Sequence, residues 1–206
     1  MYLCLRKNIQ KLTMAKRTKS NEKRIALLNA TLYLVNNNGF HDAPMSKIAK
    51  MAGVSPATIY IYFENKQDLI NQLYLENKAS FSEAAFKDYF VNMPVKNGFE
   101  LIWRNIAHYK LNKVEEANFL SQCDNIATMV DEESRQEGLK NLQPLLDLWE
   151  RGQKEGIIKN ISPYLLYAYT IYPLAFLMTM QKRNDFELKE TNLSEAFDSA
   201  WNSIKI

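Results

Sequence analysis

Cysteine, glycine and proline are scarce in this chain, and each scarcity excludes a class of structure. The two cysteines among 206 residues, Cys4 and Cys123, are far apart and make no disulfide framework, which favours a reducing cytoplasm. Only six glycines and six prolines interrupt the sequence, and strand-like alternation between turn signals is hard to find. We therefore predict an all-α protein.

Groups for catalysis or metal binding are equally few. The two histidines are His41 and His108, and no metal-ligand spacing, glycine-rich phosphate loop or serine elbow is present. The glutamate pairs at 115–116 and 132–133 are adjacent, so they point to different sides of a helix and make poor acid/base partners. We expect no catalytic residue, no metal and no cofactor, and an enzyme is the least favoured function.

The positive charge is concentrated near the N-terminus. Residues 1–66 hold 11 Lys and Arg against 3 Asp and Glu, a net charge of +8. Residues 67–206 hold 15 against 20, a net charge of −5. A basic N-terminal segment before an acidic remainder predicts a polyanionic partner for the first segment only.

The basic segment contains the pattern of a helix-turn-helix in residues 44–66. A first helix is predicted over about 45–52, followed by Gly53, where a helix end needs a left-handed residue. Ser55 suits a helix N-cap and Pro56 the first helical position, so a second helix is predicted over about 56–63. Two short helices joined by such a turn indicate a helix-turn-helix.

The second of these helices has bulky side chains on its outward side. Ile59 and Phe63 are spaced to face the core, which leaves Thr58, Tyr60, Ile61 and Tyr62 outward. Bulky side chains on one exposed turn beside lysines indicate a partner surface, and hydroxyl and ammonium groups donate to phosphate oxygens.

The residues from Ile48 to Lys66 read I-A-x-x-A-G-V-S-x-x-T-x-Y-x-Y-F-x-x-K and resemble the signature of the TetR family of bacterial transcriptional regulators. The resemblance covers about 21–74. It implies an N-terminal three-helix DNA-binding domain, followed by a C-terminal helical bundle for ligand binding and dimerisation. Ala43 and Pro44 depart from the family, which places a Thr or Ser there to cap the helix and touch phosphate.

The resemblance also implies which residues contact a double-stranded DNA operator. The predicted contacts are Ser46, Lys47, Ser55, Pro56, Ala57, Thr58, Tyr60, Ile61, Tyr62 and Lys66. Among them Tyr62 and Lys66 are expected on phosphates, and Ser46, Ala57, Thr58, Tyr60 and Ile61 on base edges or in the groove. Ala57 and Ile61 offer only apolar contact, which suits thymine methyl groups.

Three regions are predicted: an extension at 1–14, a helix-turn-helix domain at 15–66, and a ligand-binding and dimerisation domain at 67–206. Met14 either starts the native chain or follows residues that lengthen a basic arm. The first helix is expected over about 21–37, with Ile25, Leu28, Leu32 and Val35 on its buried stripe.

A helix is expected to start near Asn65 and run toward Tyr89, an apolar stretch follows from Phe99 to Tyr109, and four further helices are expected after it. One covers about 115–130, and one contains Pro144, which either kinks it or opens it. One covers 163–183 and includes 17 uncharged residues, 164–180, too few to span a membrane, so it is predicted to be buried. The last covers about 193–204.

Aromatic residues in the third region predict an effector pocket. Its tyrosines are too many for a dry core, since each buried hydroxyl needs a hydrogen-bond partner. With the family's pocket position, the expected effector contacts are Trp103, His108, Tyr109, Phe119, Cys123 and Tyr169. The effector is expected to be a small hydrophobic or aromatic molecule, and a positive charge on it would suit the acidic region.

The family's dimer interface lies near the C-terminus. The residues expected there are Tyr172, Phe176, Phe197, Ala200, Trp201 and Ile204. The favoured function is a homodimeric repressor that binds a palindromic operator and is released by the effector. The alternative is a DNA-binding protein that is architectural or controlled by a partner protein, with no small-molecule effector.

Overall fold

The computed structural model describes the backbone of residues 2–206 and the side chains from Lys19 onward, and this part of the chain is helical without strands. The helices are α1 (Tyr2–Asn38), α2 (Met45–Met51), α3 (Pro56–Ile59), α4 (Lys66–Ala85), α5 (Val95–Asn112), α6 (Val114–Asn125), α7 (Glu132–Lys140), α8 (Gln143–Lys154), α9 (Pro163–Thr170), α10 (Pro173–Lys182) and α11 (Glu190–Ile204). The all-α prediction is confirmed. The side chains of the predicted 1–14 extension, Met14 included, lie outside the described residues.

The chain divides into two compact units. The first, here called the head, comprises the residues up to Leu73 together with Ile126–Asp131. The second, here called the body, comprises Tyr74–Asn125 and Glu132–Ile206. The division falls within α4, whereas the sequence pattern placed a boundary after Lys66.

Apolar side chains from the first four helices form the core of the head. The most deeply buried include Leu27, Val35, Ile48, Ile59 and Leu69. Ile25, predicted on the buried stripe, is instead 45% exposed. The stripe centres on Leu27, and two residues of helix turn Ile25 about 200° away from it.

The segment Ile126–Asp131 belongs to the head through its hydrogen bonds with α4. The Gln67 side-chain amide donates to the Met129 carbonyl at 3.1 Å, and the Asp131 backbone N–H donates to Asn71 Oδ1 at 3.2 Å. The Asn71 amide also donates to the Asp131 carboxylate. Met129 is fully buried. The helix predicted over 115–130 therefore ends at Asn125, where these contacts replace its last turn.

An aromatic cluster forms the core of the body. The ring centroid of Phe99 lies 6.2 Å from that of Trp149, 6.0 Å from Phe197 and 6.2 Å from Trp201. Trp103 stands edge-on to Phe197 at 5.7 Å. These separations are those of favourable aromatic pairs. The cluster joins α5 and α8 to α11 and fixes which face of α11 is buried.

The predicted helix over 163–183 is broken into α9 and α10 at Pro173, which has no backbone N–H to donate. Near the break, the Trp103 indole donates to the Thr170 carbonyl at 2.9 Å and satisfies it from outside the helix. Pro144 does not kink a helix but lies in the first turn of α8, so the second of its two predicted roles is confirmed.

The prediction that the 163–183 helix is buried all round is wrong. Leu166, Thr170 and Leu174 are buried, but the opposite side is open, with Tyr164 86% exposed. None of the described helices is long and apolar enough to cross a membrane.

Gly138 allows α7 to approach Tyr74. A Cβ at this position would lie 2.6 Å from both Cε1 and Oη of Tyr74, a ring that is only 1% exposed.

We predict that Gly138→Ala lowers the free energy of unfolding by about 1–3 kcal/mol, because the ring must be displaced. Urea unfolding measures this. Glu137→Ala, at the exposed neighbouring position, is the control and should change stability by less than about 0.5 kcal/mol. Equal unfolding midpoints for the two variants would contradict the packing described.

Candidate functional site

The turn between α2 and α3 has the hydrogen bonds of a Schellman motif. The Val54 N–H donates to the Ala49 carbonyl at 3.0 Å, and the Gly53 N–H donates to the Lys50 carbonyl at 3.2 Å. Gly53 has φ of +68° and no atom within 4 Å of a hypothetical Cβ, so its backbone conformation, not space, requires glycine. The predicted turn is confirmed.

Helix α3 starts as predicted but is shorter. The Ser55 hydroxyl caps it by accepting from the Thr58 N–H at 3.2 Å, and Pro56 occupies its first turn. The helix ends at Ile59, and the bonds from Ile61 to Thr58 and from Tyr62 to Ile59 then tighten the chain into a 3₁₀-like turn. The helix predicted over 56–63 is therefore one turn of α-helix followed by this tighter turn.

The outward side of α3 exposes large apolar groups. Ile59 and Phe63 are buried, as predicted, whereas Tyr60 is 58% and Ile61 78% exposed. The remaining predicted contacts that are exposed are Ser46, Lys47, Ser55, Pro56 and Ala57. We call these seven exposed residues the α3 surface. An isoleucine left in solvent on the turn that follows so short a helix indicates a surface that is covered by a partner.

Thr58 and Tyr62 are half-buried because they bond within the head. The Thr58 hydroxyl lies 2.8 Å from the Ser55 hydroxyl. The Tyr62 hydroxyl accepts from the Ser20 hydroxyl at 3.2 Å, which leaves the phenolic proton of Tyr62 available to another acceptor. Pro44 precedes α2 without a side-chain cap, so neither it nor Asp42 supplies the capping group that the family places there.

Lys66 has an internal role that the sequence did not indicate. Its ammonium group donates to the Phe40 carbonyl and lies 4.3 Å from the centroid of the Phe40 ring. Burial lowers the pKa of Lys66, and the Asp42 carboxylate opposes that shift. The lysine therefore ties the loop after α1 to the start of α4. The predicted phosphate contact of Lys66 stays a prediction, made by an ammonium group that already has one partner inside the head.

The predicted effector contacts do not form one pocket. His108 is exposed and points away from the interior, because Ala107 and Tyr109 on either side take the buried positions. Phe119 and Cys123 are fully buried in the body core. Tyr109 lines a small cavity, while Trp103 and the 57% exposed Tyr169 line an open groove. The six residues thus divide among core, surface, cavity and groove.

The small cavity lies between α4, α5 and α6 in the body and has a volume of about 20 Å³. Its polar lining includes Lys78, Tyr109, Lys110 and Asp124, and its apolar lining includes Phe81 and Leu120. Neither lysine was expected here from the sequence. The signal for Lys78 was its spacing, since it stands four residues after the buried Tyr74 and three before the buried Phe81.

Burial also determines the ionisation of nearby groups. It raises the pKa of the Cys123 thiol to about 12, with the Asp124 carboxylate contributing. A thiol in that state is neither a nucleophile nor a metal ligand at neutral pH. Within the described residues no three His, Cys, Asp or Glu side chains are grouped so as to hold a metal ion.

The predicted dimer residues fall into two sets. Phe197, Ala200, Trp201 and Ile204 are at most 7% exposed, so they have almost no surface to offer a second copy, and assigning them to the interface needs correction. Their burial follows from the aromatic cluster, which turns that face of α11 inward.

Tyr172 and Phe176, by contrast, are 54% and 62% exposed. They recur at helical spacing with Leu165 and Tyr169, and we call these four residues the α9–α10 stripe. Beside the stripe lies the open groove, with a volume of about 310 Å³ and small side chains of α11, Ala196 and Ser199, in its wall. Contiguous exposed apolar surface of this kind marks an interaction site.

Two family profiles match the chain. The profile described as "Bacterial regulatory proteins, tetR family" matches residues 27–73. The profile described as "Tetracyclin repressor-like, C-terminal domain" matches residues 94–205.

Three similar proteins are described as regulators. The crystal structure of a TetR family transcription regulator from Marinobacter aquaeolei VT8 has a TM-score of 0.85 and 27% identity, covering 92% of this chain and 98% of that one. An uncharacterized HTH-type transcriptional regulator of Haemophilus influenzae is 26% identical over 180 residues, 87% of this chain and 94% of that protein. The fatty acid metabolism regulator protein of Bacillus subtilis is 30% identical over 126 residues, 61% of this chain and 60% of that protein.

The internal role of Lys66 makes a prediction about stability. Lys66→Ala should lower the free energy of unfolding by about 1 kcal/mol or more, because it removes a charged hydrogen bond and a cation–π contact. Lys47→Ala is the matched control, since that lysine is exposed, and should leave stability unchanged. Urea unfolding of the two variants measures this difference. Equal stability would show that the contacts of Lys66 with Phe40 do not stabilise the head.

Proposed function

The chain belongs to the TetR family of bacterial transcriptional regulators, and from that membership we propose that it represses transcription as a homodimer that binds a two-fold symmetric DNA operator and is released by a small apolar effector. The observation that carries the proposal is the α3 surface, where Tyr60 and Ile61 stand in solvent beside Lys47. Such a regulator acts in the cytoplasm, where the DNA is.

Within this proposal the residues of the α3 surface have distinct roles. Tyr60, Ile61 and Ala57 meet base edges in the major groove, with apolar contacts to thymine methyl groups. Ser46 contacts the groove beside them. Lys47, Ser55 and Pro56 lie along the DNA backbone, where the lysine and the serine hydroxyl donate to phosphate oxygens. Tyr62 donates its free phenolic proton to a phosphate. Thr58 and Lys66 support the surface from within the head, and the remaining protons of the Lys66 ammonium can still reach a phosphate.

A second copy is the proposed partner of the α9–α10 stripe. Its four side chains, from Leu165 to Phe176, are 44% to 62% exposed, which is a large apolar surface to leave in water. The groove beside it is walled by small residues of α11, and a helix can approach small residues closely. A two-fold axis through this face would pair each stripe with its copy. One dimer would then carry two α3 surfaces, one for each half of a palindrome.

The proposed release by an effector uses the connection between α6 and α7. Ile126–Asp131 is bonded to α4 in the head through Gln67 and Asn71, while the helices before and after it belong to the body. A movement of α6 is therefore passed along the chain to α4. An effector that favours the moved state weakens DNA binding, and DNA weakens effector binding by the same factor.

A partner-controlled DNA-binding protein is the second candidate. Its support is the size of the cavity in the body, because about 20 Å³ accommodates no more than a water-sized group without rearrangement. The support for an effector is the similarity to the Bacillus subtilis regulator of fatty acid metabolism, an apolar class of metabolite. Release of operator DNA from the purified protein by a small molecule alone would exclude the partner-controlled candidate.

Two substitutions on the α3 surface distinguish contacts that give affinity for any DNA from contacts that give sequence specificity. Lys47→Ala should weaken binding to every DNA sequence and reduce the slope of log affinity against log salt by about one. Ile61→Ala should instead cost about 1 kcal/mol only on sites with the preferred base pair, leaving the salt slope unchanged. Lys87→Ala, an exposed lysine in the body, is the control. Fluorescence anisotropy on matched duplexes at several salt concentrations measures all three. If both head variants bind like the control, DNA is not the partner of this surface.

The dimer proposal has its own test. Replacing Tyr172 and Phe176 together by Glu places charges on both sides of the two-fold axis and should give monomers that lose operator binding. Phe90→Glu is the matched control, because Phe90 is 59% exposed but lies outside the stripe, and it should remain dimeric. Sedimentation equilibrium reports the mass. A double variant that stays dimeric would show that the interface lies elsewhere.

A further inference from the structure

Two lysines lie in the lining of the small body cavity with little negative charge to balance them. Lys78 on α4 is only 7% exposed, and Lys110 on α5 is half-buried. Lys78 pairs with Asp124 at 3.6 Å, while the side chain of Lys110 has no hydrogen-bond or ion-pair partner among the residues that the structure describes. Asp124 is the one carboxylate in the lining, so the cavity carries one net positive charge.

An unbalanced positive charge in the interior is unfavourable unless an anion accompanies it. Burying a charge costs free energy unless it is paired and hydrogen-bonded. Burial accordingly lowers the pKa of Lys110, although Asp124 opposes the shift. One additional anion would neutralise the lining and accept hydrogen bonds from both ammonium groups.

Neutral hydroxyl groups complete an arrangement that suits an anion. The Tyr109 hydroxyl is buried, with Ser80 beside it but no hydrogen bond of normal geometry. Tyr167 and Ser121 also reach the lining. Burial raises the pKa of Tyr109 and of Tyr167, so both phenols keep their protons and can donate. Charged hydrogen bonds of this kind are the strong ones.

The rest of the lining is apolar and faces the same cavity. Phe81, Leu120 and Leu142 supply that side. A ligand that satisfies both sides has an anionic group at one end and a hydrocarbon body at the other. The positive charge expected from the acidic composition of the region does not fit here, because the charges that reach the cavity are mostly those of lysines.

We infer that the effector is an apolar carboxylic acid in its anionic form, whose carboxylate binds between Lys78 and Lys110 and accepts from Tyr109. This inference refines the effector of the proposed function and rests on it. The ligand carboxylate takes the place of Asp124 as the partner of Lys78, while the Asp124 carboxylate, whose side chain is 42% exposed, remains in the lining at the cavity mouth. The hydrocarbon body then requires Leu120 and Leu142 to move apart, because the cavity itself has room only for the polar group.

The position of Asp124 connects this binding to release. Asp124 is in the last turn of α6, two residues before the segment Ile126–Asp131 that is bonded to α4 in the head. Displacing its carboxylate from Lys78 frees the end of α6. Ligand binding and the movement of the head-bound segment are thereby joined through two residues of chain.

Calorimetric titration of the full DNA-free chain tests the charge of the ligand. The probes are decanoate, decanol and decylamine, which share a hydrocarbon chain and differ in the head group, together with carboxylates from octanoate to stearate. At least one carboxylate should bind, and it should bind at least about tenfold more tightly than the alcohol and amine of its length. Equal affinity for the three head groups, tighter binding of the amine, or no binding of any carboxylate would overturn the inference.

Substitutions locate the anion. Lys110→Met and Lys78→Met keep the length of the side chain without its charge, and each should reduce carboxylate affinity by about tenfold or more while leaving alcohol binding unchanged. Lys110→Arg should retain carboxylate binding, and Lys113→Met, an exposed lysine at the end of the same helix, should behave as the unmodified chain. Thermal unfolding confirms that each variant is folded. Carboxylate binding unaffected by both Met variants would contradict the assigned site.

Operator binding separates a failure of this inference from a failure of the proposed function. Lys110→Met should bind DNA as the unmodified chain does and lose only its release by the carboxylate. If the unmodified chain binds no DNA, the proposed function fails whatever the ligand. If it binds DNA and no carboxylate binds or releases it, the inference about the effector alone fails.

Discussion

The burial of Ile59 and Phe63 is the constraint on which the proposed DNA contacts depend. An α-helix of four residues has no stability of its own, since helices shorter than about a dozen residues are marginal in water. Ile59 at the end of α3 and Phe63 after the tighter turn anchor this segment to the head core and leave Tyr60 and Ile61, which lie between them, in solvent. The Ser55 cap and the Gly53 turn fix its start. Without the two anchors there would be no fixed surface to present.

The sequence predicted the head well because its signals are local. A glycine in the left-handed region, a serine cap and a proline in the first turn each act within a few residues, and all three lie where they were expected. The internal role of Lys66 was missed for the opposite reason. Its partner, Phe40, is 26 residues away, and nothing in the spacing shows that a carbonyl and a ring there would take up the ammonium group.

In the body, the sequence predicted helices but not which of their faces are buried. Apolar side chains look the same whether they fill a core or form an interface, so Phe197 and Trp201 could not be told from Tyr172 and Phe176. The aromatic cluster around Phe99 decides the matter, and that cluster brings together α5, α8 and α11. Lys78 and Lys110 were overlooked because lysines are expected in solvent, although Lys78 has helical spacing to the buried Tyr74 and Phe81.

The measurement that most directly tests the account is selection of the full chain's preferred site from a pool of random DNA duplexes, followed by hydroxyl-radical footprinting. The account predicts a two-fold symmetric sequence with two protected half-sites centred about one helical turn apart, or a multiple of it, on one face of the duplex. Recovery of no preferred sequence, or of a single unsymmetrical site, would contradict a dimeric regulator that reads DNA through its α3 surface.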